Sequence, residues 1–234
     1  KKETTKNIKA NSYDFEDLAS LIYIKRLISP DKYYEKIKHV VIDEAQDLGE
    51  FNFYSLKATL PSATFSIFGD LAQSIYSYQS IDNWEEVKSI IYNNDINILP
   101  LDKSYRTTCE IMAAANKVSG MYGFGMAQSF LRHGPEVSFI KYNIINLLEK
   151  IDTLKKSGYS NIAVICKSKK SIEKYVEDIN VSGVSVITSY LSKGLEFDCC
   201  IVIDMDFDRN NMLDMKLLYV AMTRALHELI IVTK

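Results

Sequence analysis

The stretch Val40-Val41-Ile42-Asp43-Glu44-Ala45-Gln46-Asp47 decides the fold. Its apolar residues run without alternation, which predicts a β-strand buried on both faces, as in a parallel sheet. Carboxylates follow at Asp43, Glu44 and Asp47, just beyond the strand's carboxyl end, where open α/β sheets bind ligands. A carboxylate in that position can hold Mg2+, mostly through water, and its neighbour can orient an attacking water. The same residues also suit a solvated strand-to-helix loop capped by aspartate. On Asp43 and Glu44 alone, both readings stand.

Outward from this stretch, short β-branched runs alternate with amphipathic segments. That alternation predicts an α/β fold with mostly parallel sheets. Strands are predicted at 39–42, 64–68, 97–99, 162–165, 185–187, 200–203 and 229–232. Helices are predicted at 15–27, 51–59, 83–91, 109–118, 144–156, 171–179 and 215–225. Ser29-Pro30-Asp31 ends the first helix and separates it from the next segment. Residues 119–135, with four glycines, an Arg-His pair and a proline, predict a long surface connection. A domain boundary is placed within 94–100.

The chain has 234 residues, 47% hydrophobic and 25% charged, with a formal charge of -2. These values fit an ordinary globular protein of one or two domains and exclude a disordered chain. The sequence pI near 6.0 argues against a strongly basic, self-sufficient nucleic-acid module, whose affinity rests on counterion release. A local groove or stacked bases can still bind a strand. The four cysteines include no CxxC pair, so buried, reduced thiols in a cytoplasmic protein are expected. No signal peptide and no apolar run near the roughly 18 residues of a membrane span is visible.

Beyond the first stretch, four more segments stand out. Phe68-Gly69-Asp70-Leu71-Ala72-Gln73-Ser74-Ile75-Tyr76 comes after the second predicted strand. Leu101-Asp102-Lys103-Ser104-Tyr105-Arg106-Thr107-Thr108, Val186-Ile187-Thr188 through Lys193-Gly194-Leu195-Glu196-Phe197, and Leu218-Tyr219-Val220-Ala221-Met222-Thr223-Arg224-Ala225 complete the set. With Asp43-Glu44-Ala45-Gln46-Asp47 as motif II, the five resemble motifs II to VI of the UvrD/Rep/PcrA-type superfamily 1 helicases, in that family's order. The resemblance runs from Val40 to Ala225. It implies two RecA-like lobes of P-loop NTPase architecture: an incomplete first one over 1–98 and a second over 99–234.

The resemblance also implies residue roles. Asp43 holds the Mg2+ of MgATP, and Glu44 acts as base or water-positioner. Gln73 senses the γ-phosphate, Tyr105 stacks on adenine and Glu196 accepts from the ribose, with Gly194 beside the nucleotide. Arg106 and Arg224 reach the γ-phosphate from the second lobe as arginine fingers, a contribution worth roughly 10³–10⁵ in rate. Tyr76 and Tyr78 offer a stacking platform for single-stranded nucleic acid, and Thr188 and Ser189 contact its backbone. Each role has a rival in ordinary structure: core packing for Tyr105, a surface ion pair for Arg106, a helix-end cation for Arg224. The family carries tryptophan where this chain has Tyr78, and commonly histidine where it has Tyr190.

No GxxxxGK[ST] string, the loop that cradles phosphates through backbone N–H groups, occurs in the 234 residues. The expectation is therefore the C-terminal part of a longer motor, itself inactive, whose parent uses ATP and Mg2+ to move 3′-to-5′ along single-stranded DNA, with RNA not excluded. The interval between Arg106 and Val186 lacks the large insertion of UvrD and Rep, which resembles the compact HelD-like branch. That feature supports an alternative, an ATP-driven remodelling factor of RNA polymerase.

Overall fold

The computed structural model of the protein describes Thr5, Ala10 and residues 12–29, 36–76 and 78–234. Pro30 and Asp31 of the predicted break lie outside the described residues. The chain divides into two compact units, Lys1–Leu99 and Pro100–Lys234.

In the first unit, β1 (His39–Ile42) pairs in parallel with β2 (Thr64–Ile67), Val41 beside Ser66. A parallel pair needs a crossover, and helix Glu50–Thr59 lies between the two strands in sequence. Helix Leu18–Ile28 packs on it, with Tyr23 edge-on to Phe51 at 5.7 Å between ring centroids. Helix Trp84–Tyr92 is capped by Asn83, whose side chain accepts the Glu86 N–H at 3.1 Å. Its Val87 and Ile91 join Phe53 and Phe65 in the core.

Two expectations fail in this unit. Val41 is 64% exposed, so β1 is not buried on both faces. Val40 and Ile42 pack against the core, while Val41 points the opposite way, as strand geometry requires, and no described element covers that face. No strand forms at 97–99 either. Leu99 is 80% exposed, and an apolar run without a neighbour to share backbone hydrogen bonds has no reason to be a strand.

The second unit holds a five-stranded, all-parallel sheet in the order β5-β9-β8-β6-β7. Its strands are β5 (Ser138–Lys141), β6 (Ile162–Cys166), β7 (Val184–Thr188), β8 (Phe197–Ile203) and β9 (Ala225–Thr233). A short parallel pair, β3 (Lys103–Ser104) and β4 (Gln128–Ser129), stands apart. Alternate residues of β6 and β8, such as Val164 and Ile201, pack with Leu147, Ile151 and Leu154 of helix Ile144–Lys156. The intervening residues are equally buried, so helices cover both faces, as continuous apolar strands require. Cys199 and Cys200 thus face opposite ways and are both fully buried. Helix Met212–Met222 packs on β8, β9 and helix Cys109–Gly120.

Element ends differ from expectation where caps decide them. The helix predicted at 171–179 is Lys169–Tyr175, begun by Ser168, whose hydroxyl accepts the Ser171 N–H. The one predicted at 215–225 is Met212–Met222, begun by Asn211, and Ala225 opens β9. No helix among the described residues is long and apolar enough to cross a membrane.

Candidate functional site

Asp43 and Glu44 lie at the carboxyl end of β1, and Gly69-Asp70 lies at the same end of β2. Backbone bonds fasten the two ends together: Phe68 N–H to the Ile42 carbonyl at 2.8 Å, and Ala45 N–H to the Phe68 carbonyl at 2.9 Å. Glu44 sits in the left-handed region at φ 52, a conformation that costs a non-glycine residue about 1–3 kcal/mol. Such strain persists where surrounding contacts over-determine it and concentrates at functional sites.

The contacts that hold it centre on Gln46, which is fully buried. Its amide nitrogen donates to the Glu44 carboxylate and its amide oxygen accepts the Asp70 N–H at 2.9 Å. Asp70 in turn caps the next turn through Ala72 N–H at 2.9 Å and takes the side-chain amide of Gln73 at 2.8 Å. One hydrogen-bonded chain therefore runs from Glu44 through Gln46 and Asp70 to Gln73. Gly69 makes room for it, since a Cβ there would stand 2.4 Å from Gln46 Oε1 and 2.8 Å from the Trp84 ring. Sequence reasoning assigned Gln46 no role. Its identity was visible, but only burial shows that both ends of its amide are engaged.

Asp43 is exposed, and its Oδ1 accepts the Glu44 N–H at 2.9 Å. Its other oxygen has no partner among the described residues. A lone open carboxylate fits Mg2+, which keeps most of its waters when protein-bound. No cluster of three or more metal-ligating side chains occurs among the described residues. Tyr76 is half-buried and Tyr78 is 75% exposed, so Tyr78 offers an accessible ring face.

In the second unit, Arg106 Nε and Glu196 Oε1 form an ion pair at 2.6 Å. Both side chains are about half-exposed, so solvent screens the pair. Gly194 adopts φ +79, which a side chain resists, and turns the chain so that Glu196 follows. The neighbouring Leu195 carbonyl accepts from Arg224 Nη1 at 3.4 Å. Arg224 is 1% exposed, and its guanidinium also donates to the Val220 carbonyl at 3.1 Å and to Thr223 Oγ1 at 3.2 Å. Val220 is in the last turn of helix Met212–Met222 and Thr223 is its C-cap, so in this structure Arg224 also makes the contacts of a helix-end cation. The unit thus brings Arg106, Glu196 and Arg224 into one neighbourhood at the amino ends of β8 and β9. Tyr105, 67% exposed, presents its ring beside Phe130.

Thr188 and Ser189 lie elsewhere. Register sets Val184 and Cys199 level with Ile162, so Thr188 and Glu196 stand about 20 Å apart along the strands at the usual rise per residue. Thr188 Oγ1 caps the short helix Ser189–Ser192 through Leu191 N–H at 3.2 Å. Ser189 is fully buried and its hydroxyl turns inward, to the Cys166 carbonyl at 3.4 Å. In this structure the Thr188 hydroxyl is thus engaged in capping and the Ser189 hydroxyl with a strand-end carbonyl, so neither presents a free hydroxyl to a nucleic-acid backbone.

Comparison with known proteins was consistent across both units. The UvrD/REP helicase N-terminal domain matches residues 2–88, and the UvrD-like helicase C-terminal domain matches residues 183–232. ATP-dependent DNA helicase Rep of Buchnera aphidicola subsp. Schizaphis graminum is 31% identical over 117 residues, 47% of this chain and 17% of that protein. ATP-dependent DNA helicase UvrD1 of Mycobacterium tuberculosis is 28% identical over 122 residues, 47% of this chain and 16% of that protein. The chain thus spans less than a fifth of either relative's length. The structure of PRRSV helicase aligns with 84% of this chain and 35% of its own at a TM-score of 0.53 and 18% identity, a likeness of fold. From these matches and the parallel α/β architecture, the chain belongs to the UvrD/Rep type of superfamily 1 helicases.

Proposed function

We propose that these residues are the part of an ATP-driven motor on single-stranded DNA that handles the water, the metal and the base of ATP, moving 3′-to-5′. One observation carries the reading: the buried Gln46 amide that ties the Glu44 carboxylate to Asp70, and through it to Gln73. A loop with no chemical task does not need its carboxylate held by a buried amide in a strained backbone.

In this reading the first unit does the hydrolytic chemistry. Asp43 holds Mg2+ through water, and the metal supplies charge neutralisation at the phosphates when bound. Glu44 orients the attacking water and takes its proton, a role worth about 10²–10⁴ in rate. Gln73, held on Asp70, reports the state of the γ-phosphate towards Tyr76 and Tyr78, where a base can stack. The second unit supplies Tyr105 for the adenine face, Glu196 for a ribose hydroxyl, and Arg106 and Arg224 for phosphate charge. Arg106 and Glu196 neutralise one another in this structure, and each is released to its own ligand atom when ATP arrives. Arg224 must first leave its bonds to Val220 and Leu195.

The phosphate-cradling GxxxxGK[ST] loop is absent from these 234 residues, so they do not turn over ATP by themselves; turnover needs such a loop joined to them. The test is Glu44→Gln in a protein that carries both, with nucleotide binding retained and DNA-stimulated hydrolysis lost. A second reading, a remodelling factor of RNA polymerase, rests on the short interval between Arg106 and Val186, which holds helices Cys109–Gly120, Ile144–Lys156 and Lys169–Tyr175, β4 to β6, the start of β7 and their connections. Strand displacement by a protein carrying these residues separates the two, since a remodelling factor leaves the duplex intact.

A further inference from the structure

Tyr105 and Arg106 sit in irregular backbone, after the two-residue β3 and before the helix Cys109–Gly120. A side chain that must meet a base or a phosphate in one geometry needs a support of its own. We propose that residues 127–134 are a positioning strap for that segment, in which Phe130 backs the Tyr105 ring and Arg132 fixes the Arg106 backbone. The inference rests on the reading of Tyr105 as the adenine platform, and it gives a task to a stretch that looks in sequence like a plain surface connection.

Three carbonyls of the nucleotide-binding segment, those of Ser104, Arg106 and Thr107, each receive a donor from the strap. Phe130 N–H reaches the Ser104 carbonyl at 2.9 Å, Arg132 Nη1 the Arg106 carbonyl at 3.0 Å, and the Ser129 hydroxyl the Thr107 carbonyl at 2.8 Å. The Arg132 carbonyl closes the latch by accepting the Cys109 N–H at 2.8 Å. The Phe130 and Tyr105 rings lie 5.0 Å apart at 36°, too close to admit a base between them, so a base stacks on the free face while Phe130 limits the ring's rotation.

The strap is itself held at both ends. The Asn116 amide brackets Ala127, donating to its carbonyl at 2.7 Å and accepting its N–H at 3.1 Å. Glu110 Oε2 accepts the Gly134 N–H at 2.9 Å. Arg132 Nη2 lies 2.6 Å from His227 Nδ1, and because a guanidinium only donates, the ring nitrogen is the acceptor. A connection that merely closed the fold would bury its phenylalanine, yet Phe130 is 52% exposed. It would also have no need of Leu131 at φ 28, a strained setting for leucine that only over-determined segments maintain.

The experiment uses the full 234-residue chain, wild type against Arg132→Ala, Arg132→Lys, Phe130→Ala and Tyr105→Ala. Amide hydrogen exchange is followed over 104–108, with 197–203 as an internal standard for global folding, and affinity for 1,N6-etheno-ATP is read by fluorescence quenching. In Arg132→Ala, exchange over 104–108 should rise about tenfold, the scale of one charge-assisted hydrogen bond, with 197–203 unchanged. Etheno-ATP affinity should fall by a similar factor, and Arg132→Lys, which keeps one donor but not the fork, should recover part of both. Phe130→Ala should lower affinity with little change in exchange. Unchanged exchange over 104–108 in Arg132→Ala overturns the strap. So does raised exchange with wild-type affinity, provided Tyr105→Ala lowers affinity. If Tyr105→Ala matches wild type, the adenine reading itself is overturned, and the positioning role falls with it.

Discussion

Gln46 Oε1 accepts the backbone N–H of Asp70 at 2.9 Å, a buried bond that joins the segment after β1 to the segment after β2. Replacing Gln46 with leucine leaves that N–H without a partner and frees the Glu44 carboxylate. Gln46→Leu should lower the unfolding free energy by about 1–3 kcal/mol, the cost of an orphaned buried donor. Urea unfolding checks it, and an unchanged midpoint would remove Gln46 from the account.

Gly69 tests the same bridge sterically. A methyl group there would overlap Gln46 Oε1 and the Trp84 ring, so Gly69→Ala should cost about 1–3 kcal/mol. In a Gln46→Ala background the nearer obstacle is gone, and the cost of the added methyl should shrink by at least about 0.5 kcal/mol, the signature of coupled neighbours. Strict additivity in the double-mutant cycle would contradict the contact.

The Arg106–Glu196 pair, by contrast, is exposed enough that it should matter little to stability. Glu196→Gln should change the unfolding free energy by less than about 1 kcal/mol. A larger loss by calorimetry would mean that the pair is a structural clamp, and the nucleotide role given to Glu196 would lose its support.

Among the four thiols, Cys109 is half-buried and the other three are fully buried. Burial pushes Cys166 up to about 12 and, with the Glu228 carboxylate nearby, Cys199 also up to about 12. Cys200 is raised by burial as well. Since thiolates are the reactive species, iodoacetamide on the native protein should alkylate Cys109 first and spare the rest until unfolding. Mass spectrometry of the labelled peptides decides it.

Glu110 carries a pH dependence. Its hydrogen bond from His133, with those from backbone N–H groups, lowers its carboxyl from 4.5 to about 2. A carboxyl with a folded value below its unfolded one contributes stability that is complete above the unfolded value and lost as pH falls towards the folded one. The midpoint difference between wild type and Glu110→Gln should therefore be constant above about pH 5 and shrink progressively down to about pH 2. A difference independent of pH across that window would contradict the bond network at Gly134.

Much of the fold was legible because burial and chemistry coincided. The runs 162–165, 200–203 and 229–232, which lie in β6, β8 and β9, are apolar without interruption, and helices cover that sheet on both faces. Val41 misled for the converse reason: the residue pattern says what a strand can bury, while the two-stranded sheet in which it lies leaves one face open. β5 was missed because Ser138–Lys141 is a short edge strand whose Phe139 and Lys141 are exposed, leaving almost no apolar run to detect. The strap at 127–134 was hidden for another reason. Its bonds are made to carbonyls twenty or more positions away, and backbone acceptors leave no mark in a sequence. Asp43, Glu44 and Gln73 were readable as candidate residues, but the amide that links Glu44 through Asp70 to Gln73 was not, because a glutamine's two-sided role depends on being buried.

The most direct measurement is steady-state ATP hydrolysis with and without single-stranded DNA, by a protein joining these residues to a phosphate-cradling loop, wild type against Glu44→Gln. The account predicts DNA-stimulated turnover in the wild type and, in the variant, a loss of about 10²-fold or more with nucleotide binding intact. Turnover by Glu44→Gln at the wild-type rate would contradict it.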